Sequence, residues 1–395
     1  MLDKQSIIGV VGAGTMGRGI AQVAAQAGHR VVLRDLDPAA VESARIQLEK
    51  VLARLEEKGR LAAGEARSVL GRIELSGDLD ALSPCEMVVE AVVEQIDLKK
   101  SVFQELEEIC SEQAVLASNT SSLSIAAISS ACAKPERVIG LHFFNPAPLL
   151  PLVEVVPGIG TDLEITESCR SMMGAWGKTP VIAKDTPGFI VNRVARPFYG
   201  EALRIFEEGI ADPATIDWAM RELGGFRMGP FELMDLIGHD INYEVSCSVF
   251  EAFYYDPRFK PSFTQKRLVE AGRLGRKTGR GVYDYREGAV KPSPNTNRDK
   301  GEKILIRILA MLINEAADAV FMNVATANDV DLAMTCGVNY PKGLLAWADE
   351  LGPACIFETL RSLQEEYGED RYRPNPLLRR IALSGARFHD PKERR

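Results

Sequence analysis

The first half of the chain alternates short apolar runs with longer segments of helical periodicity. The apolar runs have the length of strands and occupy residues 7–11, 31–33, 87–93, 115–117 and 138–141. The longest helical pattern between them extends from Pro38 to about Gly59. Apolar strands with intervening helices are typical of a parallel sheet that is covered on both faces. We therefore predict an α/β fold with a doubly wound sheet.

The pattern changes after Asp185-Thr186-Pro187-Gly188, where helical periodicity takes over and strand-like runs become rare. A domain boundary is therefore expected near residue 185. Residues 286–302 are polar and contain two prolines, which is the composition of a linker. The predicted organisation is a sheet domain over residues 1–185, a helical domain over 186–285, a linker over 286–302 and a second helical domain over 303–395.

The second helical domain repeats the first. At an ungapped offset of 114, nine of the 38 positions from Glu201 to Gly238 are identical, against roughly two expected by composition. The alternative is a pair of unrelated helical domains that share common residues. The matched glycine and aspartate spacings favour duplication, so we predict two duplicated all-α domains.

The composition is that of a soluble globular protein. Hydrophobic residues make up 46% of the chain, and no apolar run approaches the roughly 20 residues that cross a bilayer. A net charge of −8 without a long basic tract argues against a nucleic-acid partner. The first residues lack the pattern of a secretion signal. We expect a cytoplasmic protein with no nucleic-acid or membrane partner.

Cysteine usage gives an expectation about redox state and metals. The seven cysteines are odd in number and widely spread along the chain. They form no C-x-x-C pair and no Cys/His cluster with the spacing of metal ligands. We expect buried thiols in a reducing compartment, and no metal site.

A glycine-rich turn, Gly12-Ala13-Gly14-Thr15-Met16-Gly17, lies between the first predicted strand and a helix, as a dinucleotide-binding fingerprint does. Gly12 permits the turn, Gly14 lets the backbone approach a pyrophosphate, and Gly17 allows helix and strand to pack closely. Asp35 ends the second strand, where a carboxylate accepts hydrogen bonds from a ribose 2′-hydroxyl and repels a 2′-phosphate. These residues predict a Rossmann-type domain that binds NAD; a purely structural glycine turn is the alternative.

His142 is the candidate base, because it alone of the four histidines follows a predicted strand of the sheet. Ligands bind at the carboxyl ends of strands in this fold class. An imidazole can take the hydroxyl proton when hydride leaves an alcohol near neutral pH. From position alone, a hydrogen-bonded core histidine is an equal alternative.

Further segments resemble the 3-hydroxyacyl-CoA dehydrogenase family. They are Ser118-Asn119-Thr120-Ser121-Ser122, Leu141-His142-Phe143-Phe144-Asn145-Pro146, Val153-Glu154-Val155 and Asp185-Thr186-Pro187-Gly188-Phe189-Ile190-Val191-Asn192-Arg193. The resemblance covers about residues 5 to 285, and the tandem helical domains resemble those of longer members. It implies NAD-dependent, reversible oxidation of an (S)-3-hydroxyacyl-CoA to a 3-ketoacyl-CoA, in β-oxidation or a related acyl-CoA pathway such as phenylacetate degradation.

The resemblance implies four catalytic residues. His142 is implied as the general base and Glu154 as its charge partner, while Ser121 and Asn192 are implied near the oxygen atoms of the substrate. Glu154 lies in an apolar strand, where an unpaired carboxylate is costly, although an exposed edge position is the alternative. Ser121 could instead belong to a helix cap before Ile125, and Asn192 could be structural.

The same resemblance implies contacts with the cofactor and with CoA. At the cofactor it implies Glu94, Lys99, Asn119, Ser121, Asn145 and Lys277, with Lys58 at the CoA moiety. Lys99 is otherwise an ordinary solvated lysine on a helix, and the loop around Lys277 could be a simple turn. Lys58 lies on a basic helical stripe with Lys50 and Arg54, and such stripes are usually solvated.

The second helical copy is expected to be architectural, because Asn192 corresponds to Ile306 at the repeat offset. Short family members resemble dimers formed through the helical domain, so the fused copy could act as an intramolecular pseudo-dimer partner, and a homo-oligomer also stays open. Two rival functions are a hydroxyacid dehydrogenase that relies on lysine and a cofactor-binding structural protein without turnover. The paired His142 and Glu154 argue against both.

Overall fold

The computed structural model describes residues 2–389, so Met1 and the end of the second predicted helical domain, residues 390–395, lie outside the described part. The chain divides into two units, Met1–Phe189 and Ile190–Arg395. The two predicted helical domains thus fall into one unit. No helix within residues 2–389 is long and apolar enough to span a bilayer.

The first unit is built on one eight-stranded sheet. Its strands are β1 (Ile8–Val11), β2 (Val31–Arg34), β3 (Ile73–Ser76), β4 (Met87–Glu90), β5 (Val115–Ser118), β6 (Val138–Phe143), β7 (Leu152–Pro157) and β8 (Thr179–Ile182). They are arranged in the order β3-β2-β1-β4-β5-β6-β7-β8. Neighbouring strands are parallel except for β6 and β7, which are antiparallel. The predicted Rossmann-type, doubly wound fold is confirmed, with one antiparallel pair added.

The two edge strands were not predicted from the sequence. β3 alternates apolar and polar residues, and none of its four residues is buried. β8 contains Pro180 and buries only Val181. Edge strands pack on fewer neighbours and tolerate proline, so they lack the continuous apolar run that marks a central strand.

Helices cover the faces of this sheet. They are α1 (Thr15–Gln26), α2 (Pro38–Glu57), α3 (Glu65–Leu70), α4 (Ile96–Ile109), α5 (Ile125–Ser129) and α6 (Leu163–Ala175). Asp37 caps α2 by accepting a hydrogen bond from the Ala39 amide, and Pro38 occupies its first turn. The inward residues of α1, Ile20, Ala21 and Ala24, are fully buried in the core beneath β1 and β2. Small residues there let the helix approach the sheet closely.

The second unit is largely helical in its described residues, with one long segment without helix over residues 279–297. Its first copy of the repeat contains α7 (Val191–Val194), α8 (Arg196–Glu207), α9 (Pro213–Trp218), α10 (Pro230–Ile237), α11 (His239–Ala252) and α12 (Phe263–Glu270). Its second copy contains α13 (Arg298–Phe321), α14 (Ala327–Val338), α15 (Leu344–Leu351), α16 (Pro353–Tyr367) and α17 (Pro376–Ser384). The helix α13 begins inside the predicted linker, because Asn297 caps it by accepting from the Lys300 amide.

The repeat is visible in how each copy holds one helix start. The Asp217 carboxylate accepts hydrogen bonds from the amides of Phe231 and Glu232, at 2.9 and 3.0 Å. In the second copy, Asp331 accepts from the amides of Leu345 and Ala346, at 2.8 and 2.9 Å. These six residues are related by the offset of 114 found in the sequence. The repeat therefore preserves a specific capping contact as well as residue types.

The cysteines only partly follow the expectation of buried thiols. All seven are free, and Cys85, Cys110 and Cys169 are buried. Cys355, however, is exposed on α16, so the prediction was wrong there. No group of three or more potential metal-binding side chains occurs in residues 2–389.

Candidate active site

The glycine turn lies at the carboxyl end of β1, and each glycine meets a different steric condition. Gly12 has φ of 100°, and a β-carbon there would lie 2.6 Å from the Ala91 carbonyl oxygen. A β-carbon at Gly17 would lie 1.7 Å from the Gly12 carbonyl oxygen, so helix and strand could not pack as they do. Beside Gly14 there is open space. The turn is thus sterically fixed at both ends and accessible in the middle.

The start of α1 and Asp35 complete a surface suited to a dinucleotide. Gly14 is the N-cap of α1 and provides no side-chain cap, so the first amides can point at an anion. Asp35 follows β2 and accepts a hydrogen bond from the Ala13 amide at 2.7 Å. This contact holds the carboxylate against the glycine turn. Helix start, accessible Gly14 and carboxylate fit the pyrophosphate and the ribose of NAD.

His142 and Glu154 form a buried pair across two strands. They are directly opposite each other in the antiparallel register of β6 and β7. The distance between His142 Nδ1 and Glu154 Oε2 is 2.6 Å, and the two side chains are 7% and 0% exposed. In the tautomer in which Nδ1 donates to the Glu154 carboxylate, Nε2 is the basic atom of the ring. The pair has the geometry that an oriented base requires.

Aromatic rings and an amide surround this pair. The His142 ring lies 4.3 Å from the Phe144 ring and 5.9 Å from the Phe189 ring, measured between centroids. The Asn119 side-chain oxygen accepts a hydrogen bond from the Phe143 amide at 2.9 Å, which joins the ends of β5 and β6. The described contact of Asn119 is therefore a backbone contact that fixes the strand next to His142.

A second polar cluster lies at the same carboxyl edge of the sheet, around Glu94. Its Oε1 accepts from the Thr120 hydroxyl at 2.5 Å and from the amides of Ser121 and Ser122 at 2.9 and 3.2 Å. Lys99 Nζ lies 3.3 Å from Glu94 Oε2. Burial opposes ionisation, but the charge of Lys99 and these hydrogen bonds lower the pKa of Glu94 below its usual value. Glu94 is therefore an anion at neutral pH that holds the Ser118–Ser122 loop.

Glu90 was not among the residues predicted from the sequence, yet its carboxylate holds two members of this cluster in place. It ends β4 with its side chain fully buried, and it accepts from Lys99 Nζ at 2.6 Å and from the Ser118 hydroxyl at 2.7 Å. The Val92 amide is a third donor at 2.7 Å. The available signal was a glutamate directly after the apolar run Met87-Val88-Val89. Lys99 itself is 1% exposed, which rules out the alternative of an ordinary solvated lysine.

The remaining candidate residues are more exposed. Asn145 is exposed after β6, and Ser121 is half-buried at the Glu94 cluster. Lys58 is exposed at the end of α2. In the second unit, Asn192 lies on α7, and Lys277 forms an exposed ion pair with Asp240 at 2.6 Å. The structure thus brings together the candidates of the sheet unit at one edge of the sheet, whereas Lys58 lies apart on a helix end.

Comparisons with known families and proteins agree with this site. The family model described as "3-hydroxyacyl-CoA dehydrogenase, NAD binding domain" matches residues 7–186. The model described as "3-hydroxyacyl-CoA dehydrogenase, C-terminal domain" matches twice, at residues 188–285 and 304–389. The double match corresponds to the two copies of the helical repeat.

The chain is similar to known enzymes over nearly its full length. It is 40% identical to 3-hydroxyadipyl-CoA dehydrogenase of Escherichia coli strain K12, over 97% of this chain and 98% of that protein. It is 41% identical to a probable 3-hydroxybutyryl-CoA dehydrogenase of Bacillus subtilis strain 168, over 70% of this chain and 96% of that shorter protein. The crystal structure of 3-hydroxybutyryl-CoA dehydrogenase from E. coli K12 matches with a TM-score of 0.91 and 40% identity, covering 97% of this chain and 100% of that one.

The glycine turn with Asp35 has the form of a dinucleotide-binding surface, and the buried His142 lies at the same edge of the sheet. Family models match most of the chain, and full-length relatives are similar in both sequence and fold. The expectation from sequence motifs is thereby confirmed. The chain belongs to the 3-hydroxyacyl-CoA dehydrogenase family of NAD-dependent oxidoreductases.

Proposed function

We propose that the chain oxidises an (S)-3-hydroxyacyl-CoA reversibly to the 3-ketoacyl-CoA, with His142 as the general base and Glu154 as its charge partner. The observation that carries this assignment is the 2.6 Å contact between His142 Nδ1 and the buried Glu154 carboxylate. Because Nδ1 donates to Glu154, Nε2 takes the hydroxyl proton of the substrate. The carboxylate then stabilises the imidazolium that forms.

The cofactor is held by residues of the sheet unit. The amides at the start of α1 and the space beside Gly14 would hold the pyrophosphate, and Asp35 would accept from the adenosine ribose. Bound NAD⁺ would supply the acceptor for the hydride that leaves the carbinol carbon. Glu94, Asn119 and Asn145 shape the part of the protein that surrounds the nicotinamide half of the cofactor.

Other polar groups act on the substrate in this proposal. Ser121 and Asn192 donate hydrogen bonds to the 3-oxygen or the thioester carbonyl, where charge changes during the reaction. Lys58 attracts a CoA phosphate, and Lys277 contributes positive charge near the cofactor. Ser121 is anchored for this purpose by its amide, which donates to Glu94 at 2.9 Å.

The names of the relatives leave the acyl group open. One refers to 3-hydroxyadipyl-CoA and others to 3-hydroxybutyryl-CoA. The proposed setting is the cytoplasm, in β-oxidation or a related acyl-CoA pathway such as phenylacetate degradation.

The test is consumption of NADH with acetoacetyl-CoA by the native chain and by His142→Gln. We expect His142→Gln to lower kcat by about 10²- to 10⁴-fold, the usual contribution of a general base. NADH binding should be unchanged, since the glycine turn is intact. The control is His29→Gln, another buried histidine of the same unit, whose Nδ1 contacts the Ser6 carbonyl oxygen at 2.9 Å. Equal kcat in the native chain and His142→Gln would refute the assignment of the base.

We further propose that the second helical copy takes the place of a second subunit. Two ion pairs join the copies reciprocally: Arg193 contacts Glu315 at 3.0 Å, and Arg307 contacts Glu201 at 2.7 Å. The offset of 114 relates Arg193 to Arg307 and Glu201 to Glu315. Such reciprocity is the property of a two-fold symmetric dimer interface.

The helices that carry these pairs also support this role. α8 of the first copy packs along α13 of the second, and α13 buries most of its length. Relatives such as the Bacillus subtilis protein align with only 70% of this chain, so they lack most of this second copy. The fused copy therefore covers a surface that a shorter chain would have to cover by association.

A further inference from the structure

Arg196, the first residue of α8, differs from the other buried or half-buried arginines of the helical unit. Arg193, Arg204, Arg258 and Arg307 each form at least one ion pair with a carboxylate. Arg196 has no carboxylate within ion-pair distance among residues 2–389. Burial lowers the pKa of Arg196, and a guanidinium keeps its positive charge in proteins. A partly desolvated guanidinium without a counter-ion is unfavourable and suits an anionic ligand.

The side chain is nevertheless held in place. Its Nε donates to the Asn192 carbonyl oxygen at 3.0 Å, and its Nη1 donates to the Ser246 hydroxyl at 3.4 Å. The guanidinium also lies over the Tyr199 ring, 5.0 Å from the centroid. Nη2 makes no hydrogen bond within the described part of the chain. Arg196 is thus oriented, with donor capacity left for a carboxylate, which guanidinium groups bind in a two-pronged manner.

A pocket opens beside this guanidinium. It is small, with a volume of about 20 Å³, which is room for one or two water molecules or the tip of a polar group, and all residues that line it belong to the helical unit. The lining includes the basic residues Arg196, Arg258 and Lys260 and the polar residues Ser246 and Gln265, and no described lining residue is acidic. The charge of Arg258 is already balanced by Asp256, Glu315 and Asp318. Among the basic residues that line the pocket, Arg196 is therefore the one whose side chain is held in place and whose charge is not balanced by a carboxylate of the described residues.

The position of Arg196 relates it to the acyl part of the substrate. It follows Asn192, the residue proposed at the substrate oxygens, by four residues, and its Nε contacts the Asn192 backbone. Asn192 lies on α7 and Arg196 begins α8, with only Ala195 between the two helices, so the guanidinium lies against the backbone of this junction. The far carboxylate carbon of a six-carbon diacid is only three bonds from C3, so a cation that contacts the Asn192 backbone is close enough to meet it.

We propose that Arg196 binds a carboxylate at the far end of the acyl chain, so that the enzyme selects dicarboxylic 3-hydroxyacyl-CoA substrates. This inference rests on the proposed function through the placement of Asn192 near the reacting oxygens. It agrees with the name of the full-length relative, since an adipyl group carries a terminal carboxylate. Arg196 could instead meet a phosphate of CoA, and the experiment separates these two anions.

The test compares two substrates of equal length, 3-oxoadipyl-CoA and 3-oxohexanoyl-CoA, which differ in the terminal carboxylate. We expect Arg196→Met to lower kcat/KM for 3-oxoadipyl-CoA by about 10- to 100-fold, the range of a charge-assisted hydrogen bond, and to leave 3-oxohexanoyl-CoA nearly unchanged. Arg196→Lys should recover part of the loss. The control is Arg267→Met, an exposed arginine of α12 paired with Glu270.

Two outcomes of this kinetic comparison overturn the proposal. An equal loss for both substrates would assign Arg196 to CoA or to stability, and no loss for 3-oxoadipyl-CoA would exclude a carboxylate contact. Equilibrium binding of the unreactive adipyl-CoA and hexanoyl-CoA to the native chain gives an answer that does not depend on turnover. Adipyl-CoA should bind about tenfold more tightly, and equal affinities contradict the inference even if the dehydrogenase activity is present. Activity on 3-oxohexanoyl-CoA alone would leave the proposed function standing without this specificity.

Discussion

Lys99 shows how one buried charge can serve two carboxylates. Its ammonium lies 2.6 Å from Glu90 and 3.3 Å from Glu94, and it is 1% exposed. Glu90 in turn accepts from Ser118, which begins the serine-rich loop. The cation therefore connects the buried end of β4 with the loop that carries Ser121.

We predict that Lys99→Met destabilises the chain by about 3–5 kcal/mol, because Glu90 is then buried without a counter-charge. Urea unfolding measures the change. Lys100→Met, one residue further along α4 and less buried, is the control and should stay within about 0.5 kcal/mol of the native value. Similar losses for both variants would show that the buried pair has no special role. Glu90→Gln together with Lys99→Met should recover part of the stability.

At the scale of elements, the antiparallel register of β6 and β7 decides whether the proposed base has a partner. Residues directly opposite in a sheet project their side chains on the same face, so His142 meets Glu154 only in this register. A shift by one residue would turn Glu154 to the other face. The resemblance implied the pair, but the strand arrangement that creates it was not part of the sequence prediction.

The glycines that precede α10 and α15 have no room for a β-carbon. A β-carbon at Gly229 would lie 2.3 Å from Asp217 Oδ1, and one at Gly343 would lie 2.3 Å from Asp331 Cγ. We expect Gly229→Ala and Gly343→Ala each to lower the free energy of unfolding by about 1–3 kcal/mol through this overlap. Calorimetric melting checks the effect.

Gly174→Ala is the control for these substitutions, since a β-carbon there has no neighbour within 4 Å and the residue lies in α6. It should be neutral or slightly stabilising, because alanine favours a helix. If Gly229→Ala melts like Gly174→Ala, the close approach of the capping aspartate does not constrain this turn.

At the scale of the whole molecule, the second helical copy should remove the need for a partner subunit. We predict that a chain ending at residue 290 exposes the surface of α8 that α13 covers and associates into dimers or aggregates. Size-exclusion chromatography with light scattering distinguishes these states from the full-length chain. A truncated chain that is soluble, monomeric and as stable as the full chain would contradict the pseudo-dimer proposal.

Several features of this protein were determined by its sequence alone. Continuous apolar runs predicted the central strands, because strands buried on both faces need apolar residues at every position. The glycine turn and Asp35 indicated NAD, since backbone conformation and steric access restrict the residues at these positions. The helical repeat was also readable, and its matched Asp217 and Asp331 prove to cap matching helices.

The tertiary structure decided what depends on contacts between distant segments. The edge strands β3 and β8 carry no continuous apolar run, so only their pairing reveals them. Glu90 becomes recognisable only when the sheet brings Ser118 and Lys99 to it. Arg196 is distinguished because no carboxylate of residues 2–389 pairs with it, which a sequence cannot show. Local pattern encodes strands, helices and turns, whereas the pairing of buried charges is a property of the folded chain.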